Sequence, residues 1–431
     1  MRRLTGLAKW LRLAGEVFEK PAGPLSLRFV LHVLGTMRHE KLTVLDGHTI
    51  VNANTPPLES RAYRTAGQAL ARLARGESQL MSVCIAPTGR CPFNCFYCSS
   101  RTFGADVEMS TAKLIDLVGE VQAMGVSAIH VSGGEPLLRE DLPEVIAAVD
   151  DRSMTALFTS GFNLPRMARA LKQAGLTYVI VSLDTFDAAE YNRRRGHPNA
   201  FGIAVDAIRA SVAEGFYTAV GMMPNEHMLA REHFDAFVHR AAELGVHEIR
   251  PLGPRACVAL GRENTRLLNR RQVDRLFTFQ KHYNRRAGMP TVLSLDYIER
   301  PHVQGCIGGN VYVYLTAAGD VTPCEFNPVS FGNVNDRPLR ELHADMCRYI
   351  PHPTTLCPLI DVYRLLVDVP DEALPVRDSE RVAEVYGRLD SGAQPLPAFW
   401  KNLGMPVGST DAGKLFTKGH VDDASAAESC T

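Results

Sequence analysis

Between Gln79 and Leu252 the sequence alternates between short apolar segments and longer stretches of helical periodicity. Met81–Ile85, Ala128–Val131, Thr155–Thr159, Tyr178–Val181, Tyr217–Met222 and Glu248–Leu252 have the length and apolar character of buried strands. Helical patterns over 110–124, 142–149, 164–174, 201–214 and 231–244 lie between them, and Gly125, Gly175, Gly215 and Gly245 each end a helix just before the next strand. Strands that alternate with helices pair in parallel, with the helices outside. Six such units predict an α/β fold, a partial (β/α)6 barrel, and in such folds functional residues collect at the carboxyl ends of the strands.

The first strand runs into Arg90-Cys91-Pro92-Phe93-Asn94-Cys95-Phe96-Tyr97-Cys98, a C-x3-C-x2-C loop with an aromatic residue before the last thiol. Cys91, Cys95 and Cys98 suit three corners of a cubane [4Fe–4S] cluster, which leaves the fourth iron open to an exogenous ligand. A zinc site would want a fourth protein ligand, usually from a second C-x2-C pair, and no such pair follows. The second strand ends in Ser132-Gly133-Gly134-Glu135-Pro136, where two glycines admit a close-lying ligand and Glu135 adds a carboxylate. Thr159-Ser160-Gly161 ends the third strand and Ser182-Leu183-Asp184 the fourth, followed by Arg193-Arg194-Arg195-Gly196. His130 reads as a packed residue, and Asn225 as a weaker polar candidate.

Together these motifs resemble the radical S-adenosylmethionine (SAM) superfamily over about residues 79–254. The S-L-D…R-G segment is similar to the branch containing the molybdenum-cofactor cyclase and the peptide-modifying maturases. The resemblance implies that Gly133, Gly134 and Glu135 hold the amino group of SAM, that Tyr97, Ser160, Ser182 and Asp184 lie beside it, and that Arg194 takes its carboxylate. It also implies the reaction. The reduced cluster passes one electron to the sulfonium of SAM, and the resulting 5′-deoxyadenosyl radical removes hydrogen from a substrate carbon. An electron donor such as flavodoxin or ferredoxin is implied as a partner.

A second group of thiols, Cys306, Cys324, Cys347 and Cys357, follows. Val311–Leu315 and Val321–Pro323 read as a hairpin across Ala317–Asp320, with Cys306 before it and Cys324 after it. The spacing C-x12-G-x4-C resembles the start of the SPASM/Twitch extension, which holds auxiliary [4Fe–4S] clusters. The full SPASM run of C-x2-C-x5-C-x3-C is missing, so the shorter Twitch-like form with one auxiliary cluster fits better. Cys357, followed by Pro358, is the stronger of the remaining ligands, and Cys347 ends a helix. Without Cys347 the cluster has three thiolates and an open iron. A structural zinc at these four cysteines is the rival reading. Cys84 and Cys257 read as core residues and Cys430 as a tail thiol.

The predicted organisation is a helical segment over 1–78, the barrel over 79–255, a connector with a helix near Arg270–Arg286 over 256–303, the auxiliary domain over 304–365, and an extension over 366–431. Its tail beyond about Pro406 has a disordered composition. Lys+Arg and Asp+Glu are equal at 47 each, which excludes a generally nucleic-acid-binding chain. Clustered thiols among 10 cysteines, with no cleavable export signal, point to a reducing cytoplasm. Leu4, Leu7, Leu11, Ala14 and Phe18 recur at helical spacing among basic residues, which reads as a helical cap or as a peripheral membrane contact. The substrate is a small metabolite, a lipid or a peptide. Residues 1–78 lack the strand-rich pattern of a winged-helix peptide-binding domain, which tilts the reading away from a peptide. The alternative to an enzyme is a non-catalytic iron–sulfur or zinc scaffold.

Overall fold

The computed structural model describes residues 1–19, 25–104, 107–257 and 267–407. The chain opens with β1 (Arg2–Leu4), α1 (Gly6–Glu19), α2 (Leu27–Met37), β2 (Leu42–Leu45), β3 (His48–Ile50) and α3 (Arg61–Ala74). Six parallel strands follow: β4 (Ser82–Ile85), β5 (Ala128–Val131), β6 (Met154–Thr159), β7 (Tyr178–Ser182), β8 (Tyr217–Met222) and β9 (Glu248–Pro251). They lie side by side in chain order, each paired in parallel with the next. Between them run α4 (Thr111–Ala123), α5 (Leu142–Ala147), α6 (Leu164–Gln173), α7 (Ala188–Arg195), α8 (Ala200–Ala213) and α9 (Arg231–Glu243).

The period of two along each strand sends alternate side chains to two different cores. Leu157, Val179, Val181, Val220 and Ile249 pack beneath α6, α8 and α9. Their neighbours Ala156, Tyr178, Ile180, Tyr217 and Ala219 face the other way, into the concave interior. Each fully buried Leu, Val or Ile contributes roughly 1.5–3 kcal/mol, so a one-residue slip in register would exchange a dry outer face for a half-filled lumen.

Residues 51–58 close the lower, amino-terminal end of the strands. The Ala53 amide donates to Glu248 Oε2 at 2.9 Å, the Tyr178 hydroxyl to the Thr55 carbonyl at 3.0 Å, and Arg250 to Asn54 Oδ1 at 2.6 Å. Lys41 is fully buried and its Nζ donates to the carbonyls of Arg286, Met289 and Pro290. The N-terminal segment is therefore a bottom plug as well as a helical cap. β2 and β3 form an antiparallel hairpin around Asp46-Gly47. Arg2–Leu4 adds a third strand to it, so Leu4 is sheet and only Leu7 onward continues the helical stripe.

The sheet does not end with the barrel. β10 (Thr291–Val292) joins β9 in parallel, and β11 (Tyr312–Leu315) joins β4 in parallel, with β12 (Val321–Thr322) antiparallel beyond it. The hairpin expected to carry the second thiols is thus the far edge of one nine-stranded sheet. It satisfies the free backbone groups that β4 would otherwise expose as an edge. The connector helix spans Arg270–Tyr283 behind a capping box formed by Asn269 and Gln272. Past the second thiols the chain adds helices Leu359–Leu365, Ser379–Leu389 and Ala398–Leu403, and Trp400 is buried against α2, where Phe29 meets Phe399 edge-on. The tail read as disordered, with Cys430, lies outside the described residues.

Candidate active site

The cysteine loop leaves the carboxyl end of β4. Cys91 is exposed, Cys98 half-buried and Cys95 buried. Burial, with the neighbouring thiols of Cys98 and Cys95 and the carboxyl of Glu135, pushes the Cys91 thiol up to about 12. Burial also raises the Cys95 thiol, and two such thiols side by side fit a site completed by a strongly cationic ligand, because binding metal replaces the protons.

The glycine turn after β5 is shaped by this loop. The Gly134 amide donates to the Thr88 carbonyl at 2.9 Å and the Glu135 amide to the Arg90 carbonyl at 2.8 Å. A Cβ on Gly133 would lie 2.7 Å from both Ala86 Cβ and the Thr88 carbonyl oxygen. One on Gly134 would lie 2.6 Å from the Gly89 carbonyl oxygen and closer still to that of Arg90. The two glycines therefore let two backbone segments touch. Glu135 differs from expectation. It is fully buried and accepts from the Thr159 hydroxyl at 2.7 Å, from the Ser160 amide at 2.8 Å, from the Ser160 hydroxyl, and from the Leu137 amide at 3.1 Å. Its carboxylate is turned inward, tying the β5 turn to the end of β6, and Ser160 is spent on the same tie.

At the end of β7, Asp184 gathers the predicted residues around itself. Its Oδ1 accepts from the Met223 amide at 2.9 Å, and its Oδ2 accepts from the Tyr97 hydroxyl and from Arg195 Nη2 at 3.2 Å, with Arg194 Nε 3.8 Å away. Burial, then the Asp184 charge, drive the Tyr97 hydroxyl well above its ordinary range, so it stays a donor. Arg194 also donates to the Met223 carbonyl at 3.1 Å, and its buried Nε has no hydrogen-bond partner. Ser182 lies beside Gly221 in the register, and its carbonyl accepts from the Tyr191 hydroxyl at 2.6 Å. Arg195, passed over in the sequence reading, lies nearest the cysteine loop. His130 stands on the concave face between Phe158 and Tyr312, and burial pushes it down to about 4. Asn225 caps the turn ahead of Met228.

The second site is a cleft lined by Cys306, Cys324 and Cys357 with Gly308, Asn327 and Thr354. Backbone pairing of Cys306 with Thr354 brings the Cys357 segment back beside the hairpin. The Cys306 and Cys357 thiols hydrogen-bond, which holds Cys357 down and Cys306 up. Cys347 does not line this cleft. Helix Leu339–Tyr349 turns it toward His343 Nε2 at 3.3 Å, Ser78 Oγ at 3.4 Å and Asn310 Nδ2 at 3.8 Å. The sequence reading also missed Glu325, next to Cys324, which accepts from the Tyr312 hydroxyl at 2.8 Å, and Arg255, which pairs with Asp296 and Glu299 at 2.8 Å each.

Among the described residues, no three His, Cys, Asp or Glu side chains sit close enough to share a single metal ion. A tetrahedral zinc needs that closeness. A cubane does not, because each thiolate binds its own iron. Cysteine thiols, the donors of an iron–sulfur cluster, line both sites.

Comparison with known proteins agrees. Residues 85–240 match the radical SAM superfamily model, and residues 306–355 match the iron–sulfur cluster-binding SPASM domain. The GTP 3′,8-cyclase of Lactiplantibacillus plantarum is 39% identical over 113 residues, 25% of this chain and 34% of that protein. The chain thus matches about a third of that relative's length. The PqqA peptide cyclase of Xanthomonas euvesicatoria pv. vesicatoria is 29% identical over 279 residues, 61% of this chain and 73% of that one. Streptococcus suis SuiB bound to S-adenosylmethionine shares the fold, with a TM-score of 0.51 at 14% identity over 74% of this chain and 79% of the other. With three thiols at the end of β4, a glycine turn fitted to their loop and a second thiol cleft on the same sheet, the chain carries a radical SAM superfamily domain over residues 85–240 and an iron–sulfur cluster-binding SPASM domain over residues 306–355.

Proposed function

We propose that this chain is an enzyme that cleaves SAM reductively and uses the product to take hydrogen from a peptide. The observation that carries the reading is the convergence at one end of the barrel of the Cys91–Cys95–Cys98 loop, the Gly133-Gly134 turn and the Asp184 cluster. Cys91, Cys95 and Cys98 would hold a [4Fe–4S] cluster, which would supply one-electron reduction of SAM. The chain's own part is binding, orientation and exclusion of water. Arg194, whose buried Nε has no hydrogen-bond partner and lies 3.8 Å from Asp184, is the group proposed for the carboxylate of SAM. Ser182, at the strand end beside Gly221, lies where ribose or methionine would pass.

For the substrate, the relative aligned over the longer span carries weight. Its match of 279 residues exceeds the radical SAM domain, and that relative is a peptide cyclase. A peptide substrate replaces the tilt toward a small or lipid molecule drawn from residues 1–78. The test is anaerobic: reduce the protein with SAM and a deuterated precursor peptide, then measure 5′-deoxyadenosine and its deuterium. Formation of labelled 5′-deoxyadenosine is expected. None, with iron fully loaded and several reductants tried, favours the scaffold alternative. A flavodoxin or ferredoxin is the proposed electron source.

The auxiliary cluster is assigned to Cys306, Cys324 and Cys357. Replacing Cys357 by Ser is expected to remove the auxiliary iron, whereas Cys347→Ser should leave iron content unchanged, as counted by iron analysis and electron paramagnetic resonance. We also infer contact with a membrane surface through Leu7 and Leu11 of α1, which are 74% and 66% exposed. No helix among the described residues is long and apolar enough to cross a membrane. Co-sedimentation with anionic vesicles should fall severalfold in a Leu7→Glu/Leu11→Glu variant, and unchanged co-sedimentation would retire the contact.

A further inference from the structure

We infer that Arg195 is a positioning residue for the radical SAM cluster: it donates a hydrogen bond to the Cys95 thiolate and so raises the potential at which that cluster accepts its electron. The inference rests on the cluster assignment above and adds a residue that assignment did not use.

Arg195 is the last residue of α7, and the helix stops there because Gly196 turns left-handed, with φ 60° and ψ 34°. That stop is fitted to the cysteine loop. The Asn94 amide donates to the Arg195 carbonyl at 2.8 Å. A Cβ on Gly196 would lie 2.8 Å from both Asn94 Cβ and the Asn94 carbonyl oxygen, so only glycine closes the helix against the loop. The ring of Phe93 meets that of His197 just beyond, at 5.0 Å. Backbone and side-chain contacts thus fix where the Arg195 side chain begins relative to Cys95.

The guanidinium is then held through its two Nη groups and between two rings, while its buried Nε has no hydrogen-bond partner. Its centre lies 5.0 Å from the Tyr191 ring and 5.4 Å from the Tyr97 ring. Nη2 donates to Asp184 at 3.2 Å, and Nη1 points at Cys95 Sγ at 3.8 Å. The side chain is 9% exposed. Water competes weakly for such a donor, so its field acts on the sulfur with little screening. When iron occupies the site, Cys95 is an anionic acceptor, and a cationic N–H pointed at it stabilises the reduced, more negative cluster more than the oxidised one. Hydrogen bonds to ligand sulfurs are one of the ways a protein sets such potentials. Asp184 works in the opposite sense, since it partly neutralises the same guanidinium.

The test is a redox titration of the reconstituted protein without substrate, followed by electron paramagnetic resonance, with the auxiliary cluster in the same sample as an internal reference. In Arg195→Gln the radical SAM signal should appear at a lower potential, with about a tenfold smaller reduced-to-oxidised ratio at fixed poise, which is ~59 mV for a one-electron couple. Arg195→Lys should recover part of that change, and Asp184→Asn should move the signal the other way. The auxiliary signal should stay in place throughout. An unmoved or raised potential in Arg195→Gln, at full iron loading, overturns the inference. If that variant does not load iron, Asp184→Asn decides, and a lowered or unmoved potential there overturns it equally. Failure of the wild-type protein to form a [4Fe–4S] cluster would instead overturn the cluster assignment.

Discussion

Cys95→Ala is expected to reduce SAM cleavage to background while the spectrum of the auxiliary cluster persists. Cys95 is the one buried thiol of the loop, and Arg195 Nη1 donates to its Sγ at 3.8 Å. Its removal takes one of three thiolates from a cluster that has no spare protein ligand in the loop. The second cleft draws its thiols from Cys306, Cys324 and Cys357, on other elements, and keeps them. The measurement is 5′-deoxyadenosine formed under reducing conditions, alongside iron analysis. Equal loss of both cluster signals would contradict two independent sites.

The second large effect belongs to Gly134. Gly134→Ala places a methyl group against the carbonyl oxygens of Gly89 and Arg90, both of them backbone atoms that cannot swing aside. Gly134 does not have the positive φ of Gly133, so the penalty is one of space rather than of backbone conformation. Overpacking costs about 1–3 kcal/mol where side chains can yield, and here the upper end or more is expected. The loop that would be displaced carries Cys91, so iron loading should fall together with stability. Chemical denaturation and iron content measured on one sample check both. A variant as stable and as iron-rich as wild type would show that the turn and the loop are not in close contact.

Much of this was legible in the chain itself. The strand positions, the hairpin at Ala317–Asp320 and the common location of the thiol loop, the glycine turn and Ser182-Leu183-Asp184 follow from local periodicity and from the rule that strand ends meet. Elsewhere the structure adds contacts remote in sequence that no local pattern carries. Glu135 is expected at SAM because the Gly133-Gly134-Glu135 turn resembles the element that holds its amino group. Its actual partners, Thr159 and Ser160, come from the next strand, and four donors consume its oxygens. Arg194 and Arg195 are adjacent on one helix, and only the placement of Asn94 against Gly196 shows which of them meets Cys95. Cys347 has suitable spacing for a cluster, but the phase of its helix turns it to His343. Leu4 fits a helical stripe and is nevertheless strand, because β2 offers it an edge to pair with.

The parallel pairing of β11 with β4 joins Tyr312 to Ser82 and Leu315 to Ile85, so the strand feeding the first thiol loop and the strand that follows Cys306 share one hydrogen-bonded ladder. No linker separates these two strands. The separation of the two thiol sites is thus set by the pleat of a sheet, as the spacing of teeth is set by the comb. Selection for a longer or shorter reach would have to act on the loops at either end, because sliding the ladder by one residue would turn Val313 and Leu315 out of the core.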